Sequence, residues 1–205
     1  MTKKTIDQIG QLYTDNLKQH GIDSKSVGWP NAHDHLLRFD KLLSNVNLSD
    51  IESFNDLGSG YGAILDYLSS REKILKTYFA YDISQEMLDA MPTDKYPKTE
   101  IQKFLEPYLR TVADFSVASG IFNVRFSESD ELWHQHILKT LHNLNDHSKK
   151  GFSFNLLSTY VDFKNDHLCY GDPLFFFDYC KKNFSRYVSL YHDYPLWEWT
   201  IVVTK

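Results

Sequence analysis

The feature that most constrains this chain is the run Phe54-Asn55-Asp56-Leu57-Gly58-Ser59-Gly60-Tyr61-Gly62, in which an acid closing a strand-like segment leads straight into a glycine-rich turn and a helix. Glycine lacks a Cβ, so it takes positive φ and lets the backbone approach a ligand closely. The free N–H groups that open the following helix favour anionic or electron-rich groups. A second strand-like segment, Thr77 to Tyr81, ends in Asp82, 22 residues beyond Gly60, where a carboxylate can take the two hydroxyls of a ribose. Two acids at two strand ends therefore frame one pocket.

The rest of the chain extends this pattern. Apolar residues at helical spacing over 5–19 (Ile6, Ile9, Leu12, Tyr13, Leu17) and 32–46 (Leu36, Leu37, Phe39, Leu42, Leu43) predict two helices ahead of the glycine turn. After the turn come a helix over 61–70, the strand ending at Asp82, and a helix capped by Ser84 and stopped by Pro92. This β-α-β order implies parallel strands. Residues 99–105 are loosely patterned for a strand; Ala113 to Gly120 reads as a buried one, followed by a long helix over 129–148 and a strand over Phe152 to Leu157. The loop Ser158 to Tyr170 exceeds the usual connection and is where lids tend to occur, and Asp172-Pro173 opens another helix. The segments 185–192 and 197–203 are strand-like with only a turn at Asp193-Tyr194-Pro195 between them, so they pair antiparallel.

Composition narrows the function classes. The chain of 205 residues is 42% hydrophobic and 15% aromatic, enough for one large core, and its formal charge of −5 with no basic run beyond two lysines disfavours DNA or RNA. No apolar run reaches the ~20 residues of a membrane span, and a cytoplasmic location is expected. Cys169 and Cys180 form no disulfide framework or metal knuckle and read as reduced structural thiols. His134 and His136, like His33 and His35, lie two apart and do not share a helix face, so they read as solvent-facing and no metal site is expected. The oligomeric state is not fixed by the sequence.

Over about residues 50–205 the chain resembles the class I S-adenosylmethionine-dependent methyltransferases of small bacterial type. Asp56-Leu57-Gly58-Ser59-Gly60-Tyr61-Gly62 corresponds to the family's first motif, Tyr81-Asp82-Ile83-Ser84 to its second, and Asp114 to Phe122 to its fourth. The resemblance implies a doubly wound α/β, Rossmann-like fold with a seven-stranded, mostly parallel sheet. Its last strand is inserted antiparallel between the fifth and sixth. A helical cap over residues 1–48 and a cofactor-binding core over 49–205 would form one domain. It also implies that Gly58 and Gly60, with Ser59 between them, pass under the methionine part of S-adenosylmethionine and that Asp56 faces its amino group. Asp82 would hold the ribose, Ile83 would cover the adenine, and Ser119 and Gly120 would border the sulfonium. The contact to the adenine amino group, expected after the third strand, has no assigned residue in Lys103-Phe104-Leu105-Glu106.

The fourth motif reads Ala118-Ser119-Gly120-Ile121 and lacks the pattern of methyltransferases acting on amide-like nitrogen; with the acidic charge this points to a small-molecule acceptor, methylated at oxygen. A general base for such an acceptor would be His192 or His167, with His33, Trp29, Tyr160 and Tyr170 lining the acceptor pocket. Two rivals share the glycine turn. A nicotinamide oxidoreductase would also satisfy Gly58-x-Gly60-x-x-Ala63 and Asp82, and a non-catalytic binding subunit would keep the cofactor and lack an acceptor site. The acid ahead of the glycines and the C-terminal hairpin separate the first rival from the methyltransferase expectation.

Overall fold

In the computed structural model, which describes residues 2–205, the run Phe54–Leu57 is buried on both faces and forms the middle of a sheet. This strand, β1 (Ser53–Leu57), pairs in parallel with β2 (Thr77–Asp82) on one side and β4 (Ala113–Ala118) on the other. Burial on both faces leaves room for little but apolar and small residues apart from Asn55 and the acids Asp56 and Asp82 near their carboxyl ends, which helps to make these strands legible in the sequence. The sheet continues outward from β2 to β3 (Glu100–Leu105), and from β4 to β5 (Ser148–Ser158), β8 (Glu198–Thr204) and β7 (Tyr187–Tyr191), giving the order β3-β2-β1-β4-β5-β8-β7. The last strand thus sits antiparallel between β5 and β7, as the resemblance implied. The two-residue strand β6 (Tyr170–Gly171) adds to the end of β5, and the indole N–H of Trp199 fixes it by donating to the Gly171 carbonyl at 2.9 Å.

Helices cover both faces. On one, α2 (Ala32–Leu42), α3 (Ala63–Ser70) and α4 (Gln85–Ala90) bury Phe39, Leu42, Ile64, Leu68 and Leu88 against Phe54, Tyr78 and Phe115. On the other, α1 (Lys3–His20), α5 (Asp130–Asp146) and α6 (Pro173–Asn183) pack Ile9, Trp133, Ile137 and Phe176 over Phe152, Phe154 and Trp199. The caps follow side-chain chemistry. The Asn31 Oδ1 accepts from the Asp34 N–H at 2.9 Å, the Ser84 hydroxyl from the Met87 N–H at 3.2 Å, and the Asp172 carboxylate from the Leu174 N–H at 2.9 Å.

Several expectations need adjustment. β5 is longer than the apolar stretch 152–157 and begins at Ser148 with two lysines. His136 does not face solvent: α5 is sandwiched between the sheet and neighbouring segments, so His136 is buried against Trp133 at 5.1 Å between ring centres. His134, on another face, is half-buried against Phe175 and Phe176 of α6. His35 is buried as well, whereas His33 is exposed. Burial pushes the Cys169 and Cys180 thiols up to about 11 and about 12, which keeps them protonated and unreactive.

Candidate active site

The carboxyl ends of β1, β2 and β4 open into a cavity of about 570 Å³ roofed by α1 and α2. Its floor is the glycine turn. The Gly58 and Ser59 N–H groups donate to the Tyr81 carbonyl at 2.8 and 2.9 Å, tying the turn to β2. Gly58 sits at φ +78°, and a Cβ there would collide with the Ile121 side chain, so the position demands glycine. Asp82 holds the turn from the other side. One carboxylate oxygen accepts from the Gly60 N–H at 2.8 Å and the other from the Ser84 N–H at 2.9 Å. Burial raises its pKa, and these two donors oppose the rise.

Asp56, on β1, is buried and accepts a hydrogen bond from the Tyr78 hydroxyl. Burial lifts its pKa to about 7; the Tyr78 bond lowers it and the nearby Asp82 charge adds to the rise. Among the described residues no cation is bonded to this carboxylate, so the Tyr78 hydroxyl alone offsets part of its desolvation. Such a group is suited to meet an ammonium. Together with glycines that leave the floor free of Cβ atoms, it fits the amino-acid end of S-adenosylmethionine, and Asp82 retains lone pairs for ribose hydroxyls. Ile83, Met87, Glu106, Pro107, Ile121 and His136 continue the wall beyond Asp82. Glu106, from the stretch in which the sequence left the adenine contact unassigned, accepts a hydrogen bond from Arg110 at 3.0 Å. His136 is held neutral, burial driving its pKa to about 4.

The far end of the cavity holds a buried polar network. The Arg38 Nε and Nη2 donate to the two oxygens of Glu198 at 2.9 and 2.7 Å. The Asn155 Nδ2 donates to the same carboxylate at 2.7 Å, while its Oδ1 accepts the Gly120 N–H at 2.7 Å. The Arg38 guanidinium lies 4.0 Å from the Trp29 ring centre. His35 packs between Trp29 and Phe39, and burial together with the Arg38 charge lowers its pKa to about 3.

Asp56, Gly58, Ser59, Gly60, Asp82, Ile83, Ser119, Gly120 and Trp29 all line this cavity. His192, His167, His33, Tyr160 and Tyr170 do not. His167 lies in the turn that precedes Leu168; Leu168, bridged to Val124, lines the cavity and His167 does not, its carbonyl accepting the Arg125 and Phe126 N–H groups at 3.0 Å each. The exposed His192 packs against the exposed Tyr160, and the wall is formed instead by the turn that follows, Pro195 to Glu198. His33 occupies the exposed side of α2, whose Asp34, His35 and Arg38 face inward. The Tyr170 hydroxyl accepts the Asn165 N–H at 3.0 Å and so closes the 158–170 loop on itself. The sequence reading missed Arg38, His35, Asn155 and Glu198. The available signal was a polar or charged residue interrupting an apolar run, as in Leu36-Leu37-Arg38-Phe39, Phe154-Asn155-Leu156 and Trp197-Glu198-Trp199. Among the described residues, no group of three or more His, Cys, Asp or Glu could hold a metal, and no helix is long and apolar enough to cross a membrane.

No family model matches the chain. It is 46% identical over 163 residues, 78% of its own length and 97% of the relative's, to a Mycobacterium tuberculosis protein named "Putative methyltransferase Rv1506c". Among solved structures, the DhpI-SAM-HEP complex superposes with a TM-score of 0.69 at 10% identity, covering 99% of each chain. Magnesium protoporphyrin IX methyltransferase (ChlM) from Synechocystis PCC 6803 with bound SAH gives 0.67 at 10% identity, covering 97% of this chain and 96% of that one. Haemonchus contortus phosphoethanolamine N-methyltransferase 1, in complex with phosphoethanolamine and S-adenosylhomocysteine, gives 0.66 at 10% identity over 100% of this chain and 50% of that one. At these identities the solved structures establish the fold, and the Mycobacterium relative establishes the kinship. With a glycine turn clipped by Asp82 below a buried Asp56, and the last strand inserted antiparallel, the chain belongs to the class I S-adenosylmethionine-dependent methyltransferases and uses S-adenosylmethionine as its methyl donor.

Proposed function

We propose that the protein methylates a small-molecule acceptor at oxygen, inside the cavity between the glycine turn and the Arg38–Glu198 pair. The observation that carries this reading is that the cavity continues past Ser119 and Gly120 to a buried Arg38–Glu198–Asn155 network, beyond what the amino-acid and ribose ends of the cofactor would engage. In this reading Asp56 faces the cofactor's ammonium, Gly58, Ser59 and Gly60 underlie its methionine part, Asp82 takes the ribose hydroxyls and Ile83 covers the adenine. Ser119 and Gly120 border the reacting centre. Residues 1–48 act as a cap that contributes Ile9, Tyr13, Trp29 and Arg38 to the roof.

The cofactor supplies an activated methyl group: the acceptor oxygen forms its bond to carbon as the carbon–sulfur bond breaks with its electron pair left on sulfur. The protein's task is then chiefly to hold the acceptor in line, which can supply most of the rate enhancement. A small acceptor is supported by the acidic charge of −5, by the narrow roofed cavity, and by a structural relative that holds phosphoethanolamine. A location in the cytoplasm is part of the same proposal.

The test is to incubate the purified protein with S-adenosylmethionine and matched phenols, alcohols, carboxylic acids, amines and thiols. S-adenosylhomocysteine and the methylated products are then quantified by mass spectrometry. O-methylated product with stoichiometric S-adenosylhomocysteine is expected; product from amines or thiols alone would remove oxygen as the target.

A further inference from the structure

We propose that Arg38 is the acceptor-anchoring residue and that the acceptor it holds is an oxyanion, a carboxylate or a phosphorus oxyanion. This deepens the function proposed above and rests on it. Arg38 is only 6% exposed, and its hydrogen bonds all run from Nε and Nη2 to Glu198. Among the described residues Nη1 has no hydrogen-bond partner. It lies over Gly120, so close that a Cβ at that glycine would overlap it, and both residues face the cavity. The edge formed by Nη1 and the second N–H of Nη2 is therefore an unused two-pronged donor beside the end of β4.

This donor is held rigid. Glu198 fixes one edge of the guanidinium, Trp29 covers its face at 4.0 Å, and Asn155 braces Glu198 while binding the Gly120 N–H. A planar fork fixed in advance matches the paired oxygens of a carboxylate or phosphorus oxyanion, and little side-chain entropy is lost on binding. A neutral hydroxyl would use one N–H and leave the other buried and unmade.

A hydroxyl acceptor would also need a base, and among the described residues of the cavity the groups beside Arg38 are poorly suited, although Asp34 keeps an oxygen free of hydrogen bonds. His35 is too weakly basic, Asp56 is engaged by Tyr78, and both oxygens of Glu198 are already bonded. An oxyanion has no proton to lose, so methylation at its oxygen needs none of them. Asp34, half-buried in the cavity wall and bonded to Asn31, is the opposing charge, and water screens it more than the buried Arg38.

The experiment uses the S-adenosylhomocysteine-loaded protein titrated with benzoate, phenylphosphonate and benzamide by ligand-observed NMR. At least one of the two anions is expected to bind about tenfold or more tighter than benzamide, as one charge-assisted contact provides, and the better anion identifies the source. The double variant Arg38→Gln/Glu198→Gln leaves no orphaned charge, and in it the preference should shrink to about twofold or less with S-adenosylhomocysteine affinity retained. Should that variant not fold, Arg38→Lys keeps the pairing with Glu198 but not the fork, and should lose most of the preference. Benzamide binding as well as both anions, binding by none of the three, or a preference that survives the substitution overturns the proposal. An intact anion preference with methyl found only on nitrogen or sulfur would instead remove the oxygen reading and leave Arg38 as an anchor.

Discussion

Replacing Asp82 by Asn tests whether one carboxylate organises both the glycine turn and the start of the next helix. Each oxygen of Asp82 receives one backbone N–H, from Gly60 at 2.8 Å and Ser84 at 2.9 Å, and the side chain is buried. Asparagine keeps one acceptor and presents an NH2 to the other donor, so one buried N–H is left unsatisfied, which costs about 1–3 kcal/mol. Part of this is returned, because the carboxylate itself is desolvated and its pKa raised. The net loss of stability in the free protein should be about 1–2 kcal/mol, which in a chain of this size lowers Tm by about 2–8 °C. Cofactor affinity should fall further, since the ribose would lose a charged acceptor as well: about 1.5–3 kcal/mol, or roughly 10- to 150-fold in Kd. Thermal denaturation and calorimetric titration with S-adenosylhomocysteine measure the two effects on the same samples. A folded Asp82→Asn protein whose Tm and Kd both match the wild type would refute the reasoning.

Other perturbations probe the rest of the site. Asp56 titrates at about 7 in the fold, above its unfolded value, so the folded state binds the extra proton. Stability of the free protein should therefore rise as pH falls from about 7 towards the ordinary carboxylate range, while S-adenosylmethionine affinity should rise as pH climbs through that window. Asp56→Asn should flatten both profiles in denaturation and titration series. Glu198→Ala strands a buried guanidinium and should cost about 3–5 kcal/mol in chemical denaturation, with Glu198→Gln costing clearly less. Gly120→Ala imposes a side chain at φ +74° against Arg38, and should lower acceptor turnover more than it lowers S-adenosylhomocysteine affinity, as steady-state kinetics and calorimetry can show.

The parts of the molecule legible in the sequence are those built from local contacts. β1, the glycine turn and β2 lie within 30 consecutive residues, and their both-sides-buried strands and positive-φ glycines leave direct marks in residue choice. β3 was faint because it is an edge strand with none of its residues fully buried, so no apolar run or clean alternation is imposed on it. The histidines chosen for loop position, His192 and His167, fall outside the cavity because both sit in irregular backbone, His167 in the turn closed by the Leu168 N–H on the Asn165 carbonyl and His192 just beyond β7, where no periodicity says which neighbour faces inward. The Arg38–Glu198 pair spans 160 positions and Asn155–Glu198 spans 43. No periodicity links such residues; only the insertion of β8 between β5 and β7 brings them together.

That insertion also sets an order of assembly. The floor of the cofactor end is laid once β1, β2 and β4 have paired, whereas the other end waits for a strand near the C-terminus to enter the interior of the sheet and present Glu198 to a helix near the N-terminus. During synthesis the donor-binding half can take shape on the emerging chain, but the acceptor-binding half closes only when Glu198 reaches Arg38 across 160 positions. A chain stalled or clipped before β8 would keep the glycine turn and lose the anchor, leaving a protein with a place for the methyl donor and nowhere to deliver it.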